Sequence, residues 1–137
     1  MSEWPKMAGP WNLGLKVRDL GAELAFLGAC GATHIEQGKI PAPSGDQTFG
    51  MAFLGTQRLL LFPRVIYEDA LPEPLHHGLT HAVFEVDRLD SVLEACRTRG
   101  IAPLWGPELL STPFGRRRLV FFRSPSGFIF ETFETLR

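Results

Sequence analysis

Asn12-Leu13-Gly14-Leu15-Lys16-Val17 and His81-Ala82-Val83-Phe84-Glu85-Val86 are the two stretches whose comparison decides the fold. With Asn12 laid on His81, Leu20 falls on Leu89, Leu24 on Leu93 and Gly31 on Gly100, all without a gap. A self-similarity of this kind marks one supersecondary unit stated twice. Each copy reads as a strand, a polar corner, an amphipathic helix and a glycine stop.

The helix signals are local. In the second copy Asp87 is placed to cap. Leu89, Val92, Leu93 and Cys96 then follow at i, i+3, i+4 and i+7, the spacing of one buried helix face. Gly100 stands where a helix end needs positive φ. In the first copy Asp19 caps, Leu20, Leu24 and Leu27 form the stripe, and Gly31 stops it. Gly21 and Gly28 weaken that helix by about 1 kcal/mol each relative to alanine.

Three strands are expected after each helix. In the first copy they span His34 to Gln37, Thr48 to Leu54 and Leu59 to Arg64, with a Pro- and Gly-rich loop at Pro41 to Gly45. In the second they span Ala102 to Trp105, Arg117 to Arg123 and Phe128 to Phe133, with a loop carrying Pro107 and Pro113. Ser124-Pro125-Ser126-Gly127 is a turn by composition. Tyr67 to Gly78, with Pro72 and Pro74, links the copies. The expected organisation is one domain over 1–137, with module 1 at about 11–66, the linker at about 67–78 and module 2 at about 79–135.

The bulk numbers narrow the function class. The chain is 45% hydrophobic, enough for a sizeable core, and its net charge is −1. The longest run of like charge is Arg116-Arg117-Arg118. Nucleic acid is therefore not the expected partner, since that affinity grows with the number of phosphates neutralised. No apolar stretch approaches the ~18 residues that span a bilayer. Met1-Ser2-Glu3-Trp4-Pro5 has no basic and apolar leader pattern. Cys30 and Cys96 have neither disulfide-framework nor zinc spacing and read as small buried hydrophobes. A cytoplasmic location is the expectation.

Side chains alternate across a strand. Leu13, Leu15 and Val17 share one face, as do Ala82, Phe84 and Val86, and these apolar sets must meet the helices. Asn12 and His81 then point away from the helices. In the last strand Ile129, Glu131 and Phe133 share a face, opposite Phe128, Phe130 and Thr132. A carboxylate amid Ile129, Phe130 and Phe133 is costly unless it meets a cation or a hydrogen-bond donor.

The order strand, helix, three strands, twice over, resembles the vicinal oxygen chelate superfamily, the glyoxalase, bleomycin-resistance and extradiol-dioxygenase group. Leu13 to Leu20 resembles its opening strand and helix start, Gly78 to Val86 the start of its second module, and Phe121 to Glu131 its closing hairpin. An aspartate usual in that hairpin is here Ser124. The resemblance implies an α+β fold: two tandem βαβββ modules in a curved mixed sheet, with a concave pocket and the helices outside.

It also implies a divalent metal held by up to four side chains, from the first and last strand of each module. His81 and Glu131 match two of these positions. Asn12 stands at a third, where histidine or glutamine is usual. The fourth falls on Leu59, Leu60 or Leu61, none of which is a ligand. A histidine, a carboxylate and an amide suit Mn²⁺, Mg²⁺ or Fe²⁺ better than a tight zinc site; zinc and nickel remain within the family's range. Glu131 can double as ligand and catalytic base.

Two functions follow. The first is a metal-dependent enzyme, of lyase, isomerase or dioxygenase type, acting on a small oxygen-rich or aromatic substrate chelated through two oxygens. The second is a metal-free drug-binding protein of the bleomycin-resistance type, with phenylalanines 122, 130 and 133 as apolar walls. Arg118, Phe122 and Lys16 are candidate substrate contacts. Arg116 and Arg118 share a face with Val120 and Phe122, and Lys16 can instead pair with Glu85. His76 and His77 read as solvated linker histidines, His34 as structural or exposed, and Tyr67 as a linker anchor. Trp11 and Trp105 are expected at sheet edges. The resemblance implies a homodimer.

Overall fold

The structure is a computed structural model that describes residues 3–42 and 45–137. Pro43 and Ser44 of the first loop, and Met1 and Ser2, lie outside the described residues. The first module is β1 (Asn12–Lys16), α1 (Leu20–Ala29), β2 (Thr33–Ile40), β3 (Gln47–Leu54) and β4 (Gln57–Phe62). A 3₁₀ turn at Glu68–Ala70 interrupts the linker. The second module is β5 (Gly78–Glu85), α2 (Leu89–Arg99), β6 (Trp105–Thr112), β7 (Gly115–Arg123) and β8 (Ile129–Leu136).

All eight strands join one mixed sheet in the order β2-β3-β4-β1-β5-β8-β7-β6. Within each module the first and last strands are parallel neighbours, β1 with β4 and β5 with β8. The modules meet where β1 runs antiparallel to β5, with Asn12 opposite Val83 and Gly14 opposite His81. The sheet curls so that Ile40 of β2 and Leu110 and Thr112 of β6, from its two edges, line one concavity.

The helices cover the convex face. Leu20, Leu24 and Leu27 of α1 bury Val17, Ala52, Leu59 and Leu61, with Leu13 and Leu15 packed alongside. Leu89, Val92 and Cys96 of α2 bury Val86, Val120 and Phe122. The alternation expected for β1 and β5 therefore holds in the structure. Asp19 caps α1 by accepting from the Ala22 backbone N–H at 3.0 Å. Gly100 ends α2 at φ 67°, the left-handed geometry glycine adopts without a Cβ clash.

Four local expectations are corrected. The α2 cap residue is Arg88, whose side chain does not cap; Glu134 of β8 accepts from Leu89 N–H at 2.7 Å instead of Asp87. The strand expected at Ala102 to Trp105 begins at Trp105 and continues to Thr112. Pro107 fits there because β6 is an edge strand whose pairing is bulged between Trp105 and Glu108, so its missing N–H removes no ladder bond. Cys30 is exposed at the end of α1; only Cys96 is buried. Trp11 precedes the central strand β1 rather than a sheet edge, and its backbone N–H bonds Val83 O at 2.7 Å.

The seam between modules needs a glycine. The His81 imidazole lies directly over the Cα of Gly14, where an added Cβ would overlap the ring. Gly14→Ala is expected to push His81 aside and to cost about 1–3 kcal/mol of stability, the range for overpacking a closed core. Denaturant unfolding measures it; an unchanged midpoint would refute the close approach.

Candidate active site

Three polar side chains enter the concavity from three adjacent strands. Val83 of β5 is paired with Asn12 on one side and Glu131 on the other. His81 lies two residues earlier on β5 and so shares their face. Asn12, His81 and Glu131 all line the cavity, at 1%, 4% and 8% exposure. Around them stand Leu60, Phe62, Val83, Leu119 and Phe121. About 80 Å³ of the cavity is open to the centres of water-sized molecules. One water needs about 10–15 Å³ on that measure, so a small ligand has room.

The hydrogen bonds around His81 fix its tautomer. Thr80 Oγ1 donates its single hydrogen to Gly14 O at 3.0 Å. At 3.0 Å from His81 Nδ1, the same oxygen must then accept from an Nδ1–H. That leaves the Nε2 lone pair free. Tyr67 fills the space behind, its ring edge-on to His81 with centroids 5.4 Å apart. Its hydroxyl donates to Thr80 O at 3.3 Å. The linker tyrosine is thus fully buried and anchors the segment.

Burial sets the charges. It holds His81 down to about 4, so the imidazole is neutral at neutral pH. It pushes the Glu131 carboxyl up to about 8, against the pull of the Arg117 charge. That pull acts from beyond ion-pairing range, because none of the ion pairs among the described residues includes Glu131 or Arg117. Asn12 Nδ2 is buried without a partner.

The three residues expected as substrate contacts stand elsewhere. Arg118 is on the convex side, where it pairs with Asp90 near the start of α2 at 2.6 Å. Phe122 packs under α2, between Trp4 and Phe130. Neither lines the cavity, because the inward set on β7 is Arg117, Leu119 and Phe121. Lys16 faces inward but is held by Glu68 of the linker at 2.5 Å, not by Glu85. Of the phenylalanines at 122, 130 and 133, the first two pack under α2, and Phe133 joins the inner cluster with Val83 and Phe121. Of Leu59, Leu60 and Leu61 on β4, Leu60 is the one that lines the cavity.

Arg117 is the cavity group that the sequence pattern misses. It is 7% exposed and lines the cavity with its guanidinium over the rings of Phe133 and Trp11. The signal that locates it is the register of β7 on β8, in which Phe121 pairs with Glu131 and Leu119 with Phe133.

The donor set can be tested against a divalent cation. Among the described residues no three His, Cys, Asp or Glu side chains gather to hold one. The cavity offers a neutral imidazole nitrogen, a carboxyl and an amide. The two ends of the Asn12 amide have nearly the same shape, so a half-turn puts its oxygen where its nitrogen now lacks a partner. One nitrogen and two oxygens suit a hard or borderline cation, with other positions left to substrate oxygens or water. The residues fit such an ion, held weakly.

No family model matches the sequence, and no curated protein matches it. Solved structures do match in fold. Methylmalonyl-CoA epimerase from Mycobacterium tuberculosis aligns at TM-score 0.66 and 15% identity, over 100% of this chain and 94% of that one. A variant of methylmalonyl-CoA epimerase from Streptomyces coelicolor, in complex with 2-nitronate-propionyl-CoA, aligns at 0.65 and 20% identity, over 95% and 96%. A glyoxalase/bleomycin resistance protein/dioxygenase superfamily member from Vibrio splendidus 12B01 aligns at 0.59 and 15% identity, over 96% and 100%.

The buried charges predict a pH profile for the protein in chelator-containing buffer. His81, lowered from 6.5 to about 4, costs stability as pH falls through that interval. Glu131, raised from 4.5 to about 8, contributes stability that is complete below 4.5 and lost as pH rises through about 8. The two oppose each other where the intervals overlap. Above the imidazole's ordinary 6.5 and up to about 8, Glu131 acts alone. Unfolding free energy should fall across that window, and Glu131→Gln should flatten the fall. Equal slopes in the two proteins would refute the assignment.

Proposed function

We propose that this chain, whose fold is that of the vicinal oxygen chelate superfamily, is a divalent-cation-dependent enzyme acting on a small oxygen-bearing substrate in the concave cavity. The observation that carries the reading is the convergence of Asn12, His81 and Glu131, all buried and turned into one cavity from β1, β5 and β8. A buried amide without a partner and a buried carboxyl in no ion pair among the described residues are costly, and a cation relieves both. His81 through Nε2, Glu131 through its carboxyl and Asn12 through its amide oxygen would hold the ion. When bound, it supplies Lewis-acid polarisation of substrate oxygens.

The chain's own residues do the rest. Thr80 and Tyr67 hold the His81 ring in one orientation. Leu60, Leu119 and Phe121 surround the polar cluster with apolar wall. The Glu131 carboxyl oxygen is the group placed to take and return a proton. Proton transfer next to a polarised oxygen is therefore the favoured reaction class, and the epimerases among the structural neighbours accord with it. The amide favours Mn²⁺, Mg²⁺ or Fe²⁺ over Zn²⁺ or Ni²⁺.

Leu60 supports a second reading. It takes the β4 position from which the superfamily draws a ligand, and the wall there is apolar. A metal-free protein that binds a small molecule would keep such a wall. The proposal also includes a homodimer and a cytoplasmic location. Leu79 and Phe128, 59% and 55% exposed, flank one shallow hollow and offer apolar surface for a second copy. No helix among the described residues is long and apolar enough to cross a membrane.

Calorimetric titration with MnCl₂ tests the cation. The wild type should bind one ion per chain, and His81→Ala should abolish binding. Thr80→Ala, which removes the acceptor of Nδ1–H together with the bond to Gly14 O, should weaken binding about 10–100-fold, as outer-shell changes do. No uptake of Mn²⁺, Fe²⁺, Zn²⁺ or Ni²⁺ by the wild type would overturn the enzyme reading in favour of the metal-free one.

A further inference from the structure

The cavity contains a cation that the cluster of Asn12, His81 and Glu131 does not need. Arg117 points inward from β7 and is 7% exposed. Its guanidinium carbon stands 4.0 Å from the ring centre of Phe133, 4.1 Å from that of Trp11 and 5.3 Å from that of Phe114. Burial lowers its pKa only to about 10, so it keeps its charge at neutral pH.

Aromatic faces attract such a cation but accept few of its five N–H groups. Nε has no partner at all. Among the described residues no carboxylate pairs with it, whereas Arg118 and Arg123 of the same strand find Asp90 and Glu73. A buried guanidinium with its Nε unpartnered and no carboxylate paired to it among the described residues is an incomplete arrangement. An oxyanion that enters the cavity completes it with two parallel hydrogen bonds.

The sheet register says where that oxyanion would sit. Phe133, under the guanidinium, is two residues along β8 from Glu131, which is about 7 Å. Leu119 and Phe121 line the stretch between. A ligand that touches both ends has a charge at one, an oxygen at the other and an apolar middle as long as a benzene ring. The charge is single. Arg58, the other nearby cation, covers Trp11 at 3.6 Å and does not line the cavity. A dianion such as a phosphate monoester would leave its second charge unmatched among apolar walls.

We propose that Arg117 receives the carboxylate of the ligand, so that the cavity selects small aromatic or similarly long apolar monocarboxylates with an oxygen at the opposite end. This deepens the proposed function, because the far oxygen lies at His81, Glu131 and Asn12. It does not require the cation.

The test titrates the whole chain with 4-hydroxybenzoate and with the uncharged 4-hydroxybenzamide, once in EDTA and once with Mn²⁺. A second pair, 4-hydroxyphenylacetate and its amide, covers a slightly longer ligand. The acid of at least one pair should bind about tenfold or more tightly than its amide, a margin fitting a charge-assisted bidentate contact. The preference should persist in EDTA, so it survives even if the cation reading fails. Arg117→Met should remove the preference by weakening the acid alone, and Arg117→Lys should keep part of it. Should Arg117→Met not fold, as judged by thermal unfolding, the wild-type pairs and Arg117→Lys decide. Equal affinities within both pairs, no binding at low-millimolar concentration, or a preference that persists in folded Arg117→Met would each overturn the proposal.

Discussion

The approach of β1 to β5 is the constraint on which the rest depends. Eight strands become one sheet only because these two pair antiparallel, back to back across the repeat. That pairing sets Asn12 beside Val83, the parallel pairing of β5 with β8 sets Glu131 on its other side, and His81 shares their face. The price is space at the seam: an imidazole must lie flat on the neighbouring strand, and Gly14 is the residue that lets it. Thr80 then ties the two strands and the ring together, since its hydroxyl bonds Gly14 O and receives His81 Nδ1–H. Fold and site share the same few atoms.

The two modules have diverged around this seam. Their convex faces stay alike, with an apolar stripe on each helix over apolar strand residues. Their concave faces differ. The first module supplies Asn12, Leu60 and the Phe49 cluster; the second supplies His81, Glu131 and Arg117. All the ionisable groups of the cavity come from the second half of the chain. The charged end of a ligand is therefore set by β5, β7 and β8, and the first module contributes mainly shape and the amides of Asn12 and Gln47.

What was legible in the sequence follows from this. Faces can be assigned where one face is polar or where a lone polar residue breaks an apolar run. Asn12, His81 and Glu131 meet that condition, and alternation places them together inside. On β7 it fails. Leu119-Val120-Phe121-Phe122 is apolar on both faces, because α2 covers one and the cavity walls use the other. The arginine triplet before it then carries no facing information, and Arg118 is as plausible as Arg117. The strand expected at Ala102 to Trp105 stops short of β6 for a related reason: the residues of β6 are largely exposed, and Pro107 stands at a bulge rather than a break. The cap of α2 could not be read locally, since its acceptor, Glu134, comes from the far end of the chain.

Lys16 and Arg117 show why a charged residue on the inner face is not by itself a ligand contact. Both point inward. Lys16 sits under the linker, where Glu68 takes its ammonium and also accepts from the Val65 backbone N–H at 2.6 Å. Its charge is spent on holding the segment that carries Tyr67 over His81. Arg117 has rings on its flanks and, among the described residues, no acid paired with it. The difference lies in the partner, not in the facing or the burial. An inward cation already matched by the protein shapes the cavity, and one left unmatched defines what the cavity can take in.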